Sequence, residues 1–303
     1  MHLHIKSRLN RFIKRSHWYN EVLFKDCRKF WEIEDKQYDV VNLGSGSGVS
    51  DFCYDSCGIS GANWAITPQS MVGDFVILKQ FRNHIKDGGV VIYPLCPFSA
   101  ISGAVPYLEE RCYSFVDYKS FPSGHYITNC KIQAAKDYPL AIYPLLHFVE
   151  DIKWHLRGNN EKTIVKTEEE LVVDAKGKID SWKKQFNIDD LNERFIDQFE
   201  EVYNASAKML SDIIEYCQSE GLKIVIVVPP VYHTLGHLLT PVARQQLLES
   251  FVEQANGKRV PYYDFLDDPK FSNAPQLFKD SYNLNMNGAM EFTKYLLDII
   301  KEK

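Results

Sequence analysis

Four short apolar runs, each the length of one strand and each stopped abruptly, constrain this chain more than any other feature. They are Tyr38-Asp-Val-Val-Asn-Leu-Gly44, Val90-Val-Ile-Tyr93 before Pro94, Leu222-Lys-Ile-Val-Ile-Val-Val228 before Pro229-Pro230, and Val260-Pro-Tyr-Tyr-Asp264. Near-continuous Val and Ile, without polar alternation, belong to strands buried on both faces, as in a parallel sheet. Helical patterns separate the runs: about Gln69–Lys86, a long amphipathic stretch from about Ile188 to Ser219 ended by Gly221, about Pro241–Gln254, and about Gly288–Ile300. The order predicts an α/β protein, a three-layer α/β/α sandwich with a mostly parallel, flavodoxin-like sheet.

Two segments interrupt this rhythm. Residues from about 99 to 190 hold no strong strand run but many aromatics, including Tyr107, Tyr113, Phe115, Tyr126, Tyr143, Trp154 and Trp182. A long insertion of this kind usually caps or borders a site, and its aromatics can stack on sugar rings or pack a small satellite core. Residues 1–36 form a helical segment that opens on Lys6, Arg8, Arg11, Lys14 and Arg15 with no acid before Glu21. Ile5, Leu9, Phe12 and Ile13 recur at helical spacing, so residues 1–17 can cover a domain edge, dock on a protein or lie on a membrane surface. The expected organisation is this segment followed by one α/β domain, 37–303, carrying the insertion.

Composition narrows the function classes. The 303 residues carry 35 Lys and Arg against 40 Asp and Glu, a net charge of −5, which argues against a dedicated nucleic-acid binder. No apolar window is long enough to span a membrane, and the first twenty residues lack a secretory pattern, so the expected location is cytoplasmic. Seven cysteines at irregular spacings, with Cys53 and Cys57 the one close pair, are expected to be free thiols. No metal or cofactor is expected.

The strongest local signal is Asn42-Leu43-Gly44-Ser45-Gly46-Ser47-Gly48 after the first strand. Glycines permit a tight turn whose exposed amides can hold an anion. Taken alone, the loop resembles motif I of S-adenosylmethionine-dependent methyltransferases. That reading demands a second strand about twenty residues on, ending in an acid for the ribose. Residues 51–70 are rich in Gly, Ser, Asn and Pro and predict no such strand, and Asn42 stands where the motif has an acid.

The C-terminal stretch Asp280-Ser-Tyr-Asn283-Leu-Asn285-Met-Asn-Gly288-Ala289-Met-Glu-Phe292-Thr293 supplies a second resemblance. It is similar to the last block of the SGNH/GDSL hydrolase superfamily, Asp-x-x-His-Leu-Asn-x-x-Gly-Ala-x-x-Phe-Thr, and looks closest to the polysaccharide-modifying branch that includes alginate O-acetyltransferase-like and teichoic-acid D-alanylation-like proteins. The opening Gly44-Ser45-Gly46 resembles that branch's Gly-Ser-Ser or Gly-Asp-Ser turn. Asn63-Trp-Ala-Ile-Thr-Pro68, Tyr93-Pro-Leu-Cys-Pro-Phe98 and Val227-Val-Pro-Pro-Val-Tyr-His233 also look like its middle stretches.

The resemblance implies a serine nucleophile after the first strand and an Asp–His pair in the last block. In this chain Gly46 takes the serine position and Asn283 the histidine position, while Asp280, the orienting acid, is retained. Glycine has no attacking group, and a carboxamide takes up no proton near neutral pH. The expected protein is SGNH-like, tied to polysaccharide or glycan modification and non-catalytic, binding a carbohydrate or an acylated small molecule through Gly44, Gly46, Asn63, Asn283 and Asn285. The competing reading is an active esterase or O-acyltransferase that uses Ser45 or Ser47 with His233 as a relocated base. A methyltransferase built on Gly44–Gly48 is the third.

Overall fold

A computed structural model describes residues 2–301 except 34, 56, 122, 158–165 and 258. The side chains of residues 2–5, Ile5 of the expected apolar face among them, lie outside what it describes. In chain order, α1 (His2–Ile13) and α2 (Arg28–Trp31) precede β1 (Tyr38–Asn42), and α3 (Gly46–Ser50) leads to β2 (Gly61–Asn63). Next come α4 (Met71–Phe81) and β3 (Ile85–Pro94), then α5 (Tyr126–Asp137), α6 (Phe148–Arg157), α7 (Glu168–Phe186) and α8 (Glu200–Ser219). The chain closes with β4 (Lys223–Val228), α9 (His233–Leu238), α10 (Pro241–Arg244), α11 (Ser250–Asn256), β5 (Tyr262–Asp264), α12 (Pro269–Ser272) and α13 (Met286–Lys301).

The five strands form one sheet in the order β2-β1-β3-β4-β5, and every neighbouring pair is parallel. This is the flavodoxin-type winding, in which the strand order reverses between β1 and β3 and leaves a crevice at the carboxyl ends of those strands. The sheet is covered on both sides. Val40, Ile92, Val225 and Val227 pack with Phe265 and with Phe292 and Leu296 of α13. Their neighbours Val41, Val91, Ile224 and Ile226 are equally buried and face the other way by strand alternation, toward the side where α4 and α8 pack together. Phe292 is the aromatic hub of the first face, with ring centroids 5.7, 5.3 and 5.4 Å from Phe52, Phe265 and Phe271. Truncating such a ring to alanine costs about 3–5 kcal/mol.

Several boundaries differ from the sequence expectation. A short strand, β2, does follow the glycine turn, although residues 51–70 predict none; Val41 pairs with Ala62 and Asn42 with Asn63. Gly61-Ala62-Asn63 has little strand propensity of its own, so pairing with β1 and the hydrogen bonds of Asn63 hold it in place. The long helix before β4 starts at Glu200, not near Ile188. Asn187 adopts the left-handed conformation, and Asp190 accepts from the backbone and side-chain amides of Asn192, a local bond that competes with helix. β3 begins at Ile85, and the Asp87-Gly88-Gly89 turn lies inside it as an irregularity, with Gly88 at φ +70°.

The chain divides into two compact units, residues 1–36 with 108–162 and residues 37–107 with 163–303. The N-terminal segment and the middle of the insertion therefore form one body, while the insertion's last helix, α7, belongs to the sheet. In the smaller unit Ile13, Trp18, Tyr19, Phe24 and Cys27 pack with Ala135 of α5. The aromatic-rich insertion thus supplies a satellite core. All seven cysteines are free.

Candidate functional site

The glycine turn leaves β1 at the carboxyl edge of the sheet, beside the point where the strand order reverses. Gly44 sits at φ +104°, a conformation that side chains rarely adopt. Gly48 is excluded from carrying a side chain by packing, because a Cβ there would lie 2.6 Å from the Leu43 carbonyl and 2.9 Å from the Ala65 side chain. The Gly44 amide does not point at an open anion site. It donates to Oδ1 of Asp74 in α4 at 3.1 Å, and Oδ2 of Asp74 accepts from the Tyr93 hydroxyl at 3.3 Å. The acceptor that meets the turn's amide is a carboxyl group of the protein itself. Burial pushes that carboxyl up to about 7, against the lowering effect of both hydrogen bonds.

Asn42 and Asn63 are structural ties of the same turn. Fully buried Asn42 donates to the carbonyls of Leu43 and Gly48 and to Oδ1 of Asn63, and its own Oδ1 accepts from the Tyr54 hydroxyl. Asn63 donates to the carbonyls of Gly48, Val49 and Phe52. Neither amide is left to meet a ligand. β2 ends in Asn63, where the methyltransferase reading needs an acid.

The final loop meets this turn at three points. Leu284 donates its amide to Asp51 at 2.8 Å, Lys279 donates to the Ser50 hydroxyl at 2.6 Å, and the ring of Tyr282 packs over Gly46. A Cβ built on Gly46 would lie 3.8 Å from Cε1 of Tyr282, ordinary van der Waals contact. The hydroxyl end of Tyr282 reaches inward to hydrogen-bonding contact with Cys96 and Ser47, and burial pushes its pKa well above the ordinary tyrosine value. The residual space is a pocket of about 180 Å³, open solvent included, lined by Ser47, Asp51, Leu95, Pro97, Val228 and Tyr282 among others. It has no room for a water-sized molecule. Asp51, fully buried along its wall, keeps Oδ2 without a hydrogen-bond partner, and burial raises its carboxyl well above the usual range.

The expected catalytic residues are only partly assembled. Ser45 is half-buried; its hydroxyl accepts from the Gln69 amide at 3.1 Å and does not cap α3, as its place in the turn suggests. Ser47 is buried with Oγ 3.2 Å from Sγ of Cys96, a weak partner and no proton acceptor for catalysis. His233 opens α9, where the preceding Tyr232 donates its amide to Ser281. Its ring packs at a tilt against Tyr232 and approaches His237, with Nδ1 3.4 Å from the Thr234 hydroxyl. It does not line the pocket at Ser47.

Asp280 and Asn283, by contrast, are paired. Asn283 Nδ2 lies 3.1 and 3.0 Å from the two carboxylate oxygens, and Asp280 Oδ1 also accepts the amides of Tyr282 and Asn283. Asn285 is buried, donates to the carbonyls of Gln276 and Phe278, and caps α13 by accepting from the amides of Asn287 and Gly288. It is a capping residue and has no free polar group for a ligand.

Residues outside the sequence expectation complete the site. α7 carries Asp174, which accepts from the amide and hydroxyl of Ser281 at 2.8 and 2.6 Å and pairs with Lys166 at 3.0 Å. Partial burial opposes ionisation, but these bonds together with Lys178 pull Asp174 down to about 2. Lys178 also lies 3.5 Å from Asp280. One turn on, Trp182 meets Tyr282 edge-to-face with centroids 5.3 Å apart and packs 5.0 Å from Phe98. Asp174, Gly177, Lys178, Ser181, Trp182 and Tyr282 line an open groove beside the filled pocket. No sequence motif marks either residue: Tyr282 occupies an unspecified position of the C-terminal block, and Asp174 lies in the insertion, where no motif is recognisable. Among the described residues no three His, Cys, Asp or Glu side chains gather as metal ligands, and no helix is long and apolar enough to cross a membrane. No protein-family model matches this chain, and no curated protein matches its sequence.

Proposed function

We propose that this chain is an SGNH-like protein of glycan or polysaccharide modification that has lost ester chemistry and binds carbohydrate. One observation carries the reading: the ring of Tyr282 packs against Gly46, the position of the attacking serine in the resemblance, and Tyr282 and Ser47 line a pocket with no room for a water-sized molecule. A nucleophile needs a base within hydrogen-bond reach and room for the substrate carbonyl. Ser47 has Cys96 and Tyr282 as neighbours, and the adjoining space is too small for a substrate. Asn283 spends its amide protons on Asp280.

Binding is assigned to the groove next to the filled pocket. Trp182 and Tyr282 present aromatic surface there, framed by Ser181, Lys178 and Asp174. Aromatic faces receive the C–H faces of sugar rings, and flanking polar groups take their hydroxyls. The methyltransferase reading finds less support, because the Gly44 amide is already bonded to Asp74 and β2 ends in Asn63.

The test pairs p-nitrophenyl acetate and a fluorophosphonate serine probe with an array of O-acetylated oligosaccharides. The expected result is no turnover, no labelling, and saturable array binding that Trp182→Ala abolishes. Turnover or labelling lost in Ser47→Ala or Ser45→Ala overturns the reading, and so does the absence of array binding.

A further inference from the structure

We propose that the smaller unit docks on the surface of an anionic lipid bilayer through α6 and the basic face of α1. α6 is amphipathic with its sides inverted for a soluble fold. Its inward residue is the fully buried Asp151, which accepts from the Trp18 amide at 2.9 Å and from the Tyr143 hydroxyl. Apolar residues of its outer side face water: Val149 is 59% exposed, Ile152 37% and Leu156 81%, and Leu145 and Leu146 just before the helix are 83% and 92% exposed, while Trp154 is half-buried against His17. Val149, Ile152 and Leu156 stand three and four residues apart and so form one stripe along the helix. A contiguous exposed apolar stripe of this kind marks an interaction surface.

Cations border the stripe on both sides. Phe12 of α1 packs against Phe148 and His155 of α6, with centroids 6.4 and 4.9 Å away. Arg8, one helical turn before Phe12, shares that face of α1 and so flanks one edge of the stripe, and Arg15 follows in the turn just after the helix. Lys153 follows its other edge by helical geometry. Arg8, Arg11, Lys14, Arg15 and Lys153 are all exposed, and none takes part in an ion pair among the described residues. By sequence the smaller unit carries 16 Lys and Arg against 12 Asp and Glu, while the larger carries 19 against 28.

An apolar face rimmed by cations is the pattern of a helix lying in a membrane interface, where acyl chains take the stripe and anionic headgroups the rim. A second copy is a poorer occupant, because two-fold pairing of the stripes brings cationic rims together.

The test is co-sedimentation of the full chain with vesicles of phosphatidylcholine alone and of an equal mixture with phosphatidylglycerol. Binding is expected to the mixed vesicles and to weaken as salt rises. Val149→Glu with Leu156→Glu abolishes it, and Arg8→Ala with Arg15→Ala lowers it on the order of tenfold or more. Both pairs are exposed and keep the wild-type circular dichroism and Tm. Three outcomes overturn the proposal: no binding to mixed vesicles, equal binding to neutral ones, or a wild-type dimer that Val149→Glu with Leu156→Glu dissociates while vesicles bind neither protein.

Discussion

Asn283 donates its side-chain amide to both carboxylate oxygens of Asp280, at 3.1 and 3.0 Å. A histidine at this position in a hydrolase would use the same acid to orient its ring. On the proposed reading, Asp280 keeps the orienting place of such a relay, while Asn283 cannot take up a proton. Asn283 Oδ1 is buried with no hydrogen-bond partner, so the amide serves only Asp280.

The site is therefore open to stepwise reconstruction. Gly46→Ser places a Cβ at ordinary contact distance from Tyr282 and should fold with little change in Tm. Adding Asn283→His is expected to leave the protein inert to a fluorophosphonate probe, because the Tyr282 ring still covers the new hydroxyl. Reactivity should emerge only when Tyr282→Gly is added. Labelling of the Gly46→Ser and Asn283→His pair would show that Tyr282 is not what closes the pocket.

Asp74 makes stability fall as pH rises. Its carboxyl is raised in the fold to about 7 from 3.8, chiefly by burial, so the unfolded chain loses this proton first. Its contribution is fully present below pH 3.8 and is lost on the way up through pH 7. The loss between pH 5 and 8 is roughly 3 kcal/mol. Asp74→Asn keeps an acceptor for the Gly44 amide but cannot ionise. Urea unfolding should show the variant gaining on the wild type from pH 5 to pH 8; parallel pH profiles would rule out this role for Asp74.

The sheet was legible because its central strands are runs of Val and Ile that only burial on both faces explains. Gly61-Ala62-Asn63 was not, because its strand state comes from pairing with β1 and from Asn63, not from propensity. The glycine turn showed a backbone amide able to meet an acceptor, yet the Asp74 carboxyl supplies that acceptor from thirty residues away. The Asp280 to Thr293 block carried the resemblance to a hydrolase's last block, with Asn283 where that block has His. Tyr282 lies at one of its unspecified positions, and no spacing rule reveals that its ring turns back over Gly46.

Asn42 separates the structural role of the first turn from a cofactor role. Asn42→Asp restores the acid that the methyltransferase motif carries. In this fold it replaces three donated hydrogen bonds with a buried charge facing the Leu43 and Gly48 carbonyls. An uncompensated buried charge costs about 3–5 kcal/mol. The expected outcome is a large drop in the urea midpoint at pH 7. A variant as stable as the parent that also binds S-adenosylmethionine by calorimetry would favour the methyltransferase reading.

Asp174 joins α7 to the loop that carries Asp280 and Tyr282, and its pH dependence runs opposite to that of Asp74. Partial burial works against its ionisation, but the Ser281 bonds, Lys166 and Lys178 prevail and lower its pKa in the fold to about 2. Its stabilisation is present above pH 3.8 and is lost as pH falls toward 2. With the side chain 21% exposed, solvent screening limits this to roughly 1–2 kcal/mol. Asp174→Asn removes the charge-assisted bonds to Ser281 and should cost about 1.5–3 kcal/mol at pH 7. Because Ser281 precedes Tyr282, the same substitution should speed amide hydrogen exchange across residues 280–284 and weaken glycan-array binding without altering exchange in β3 and β4. Unchanged exchange at 280–284 would mean that Trp182 and the Lys178–Asp280 pair suffice to hold the loop against α7.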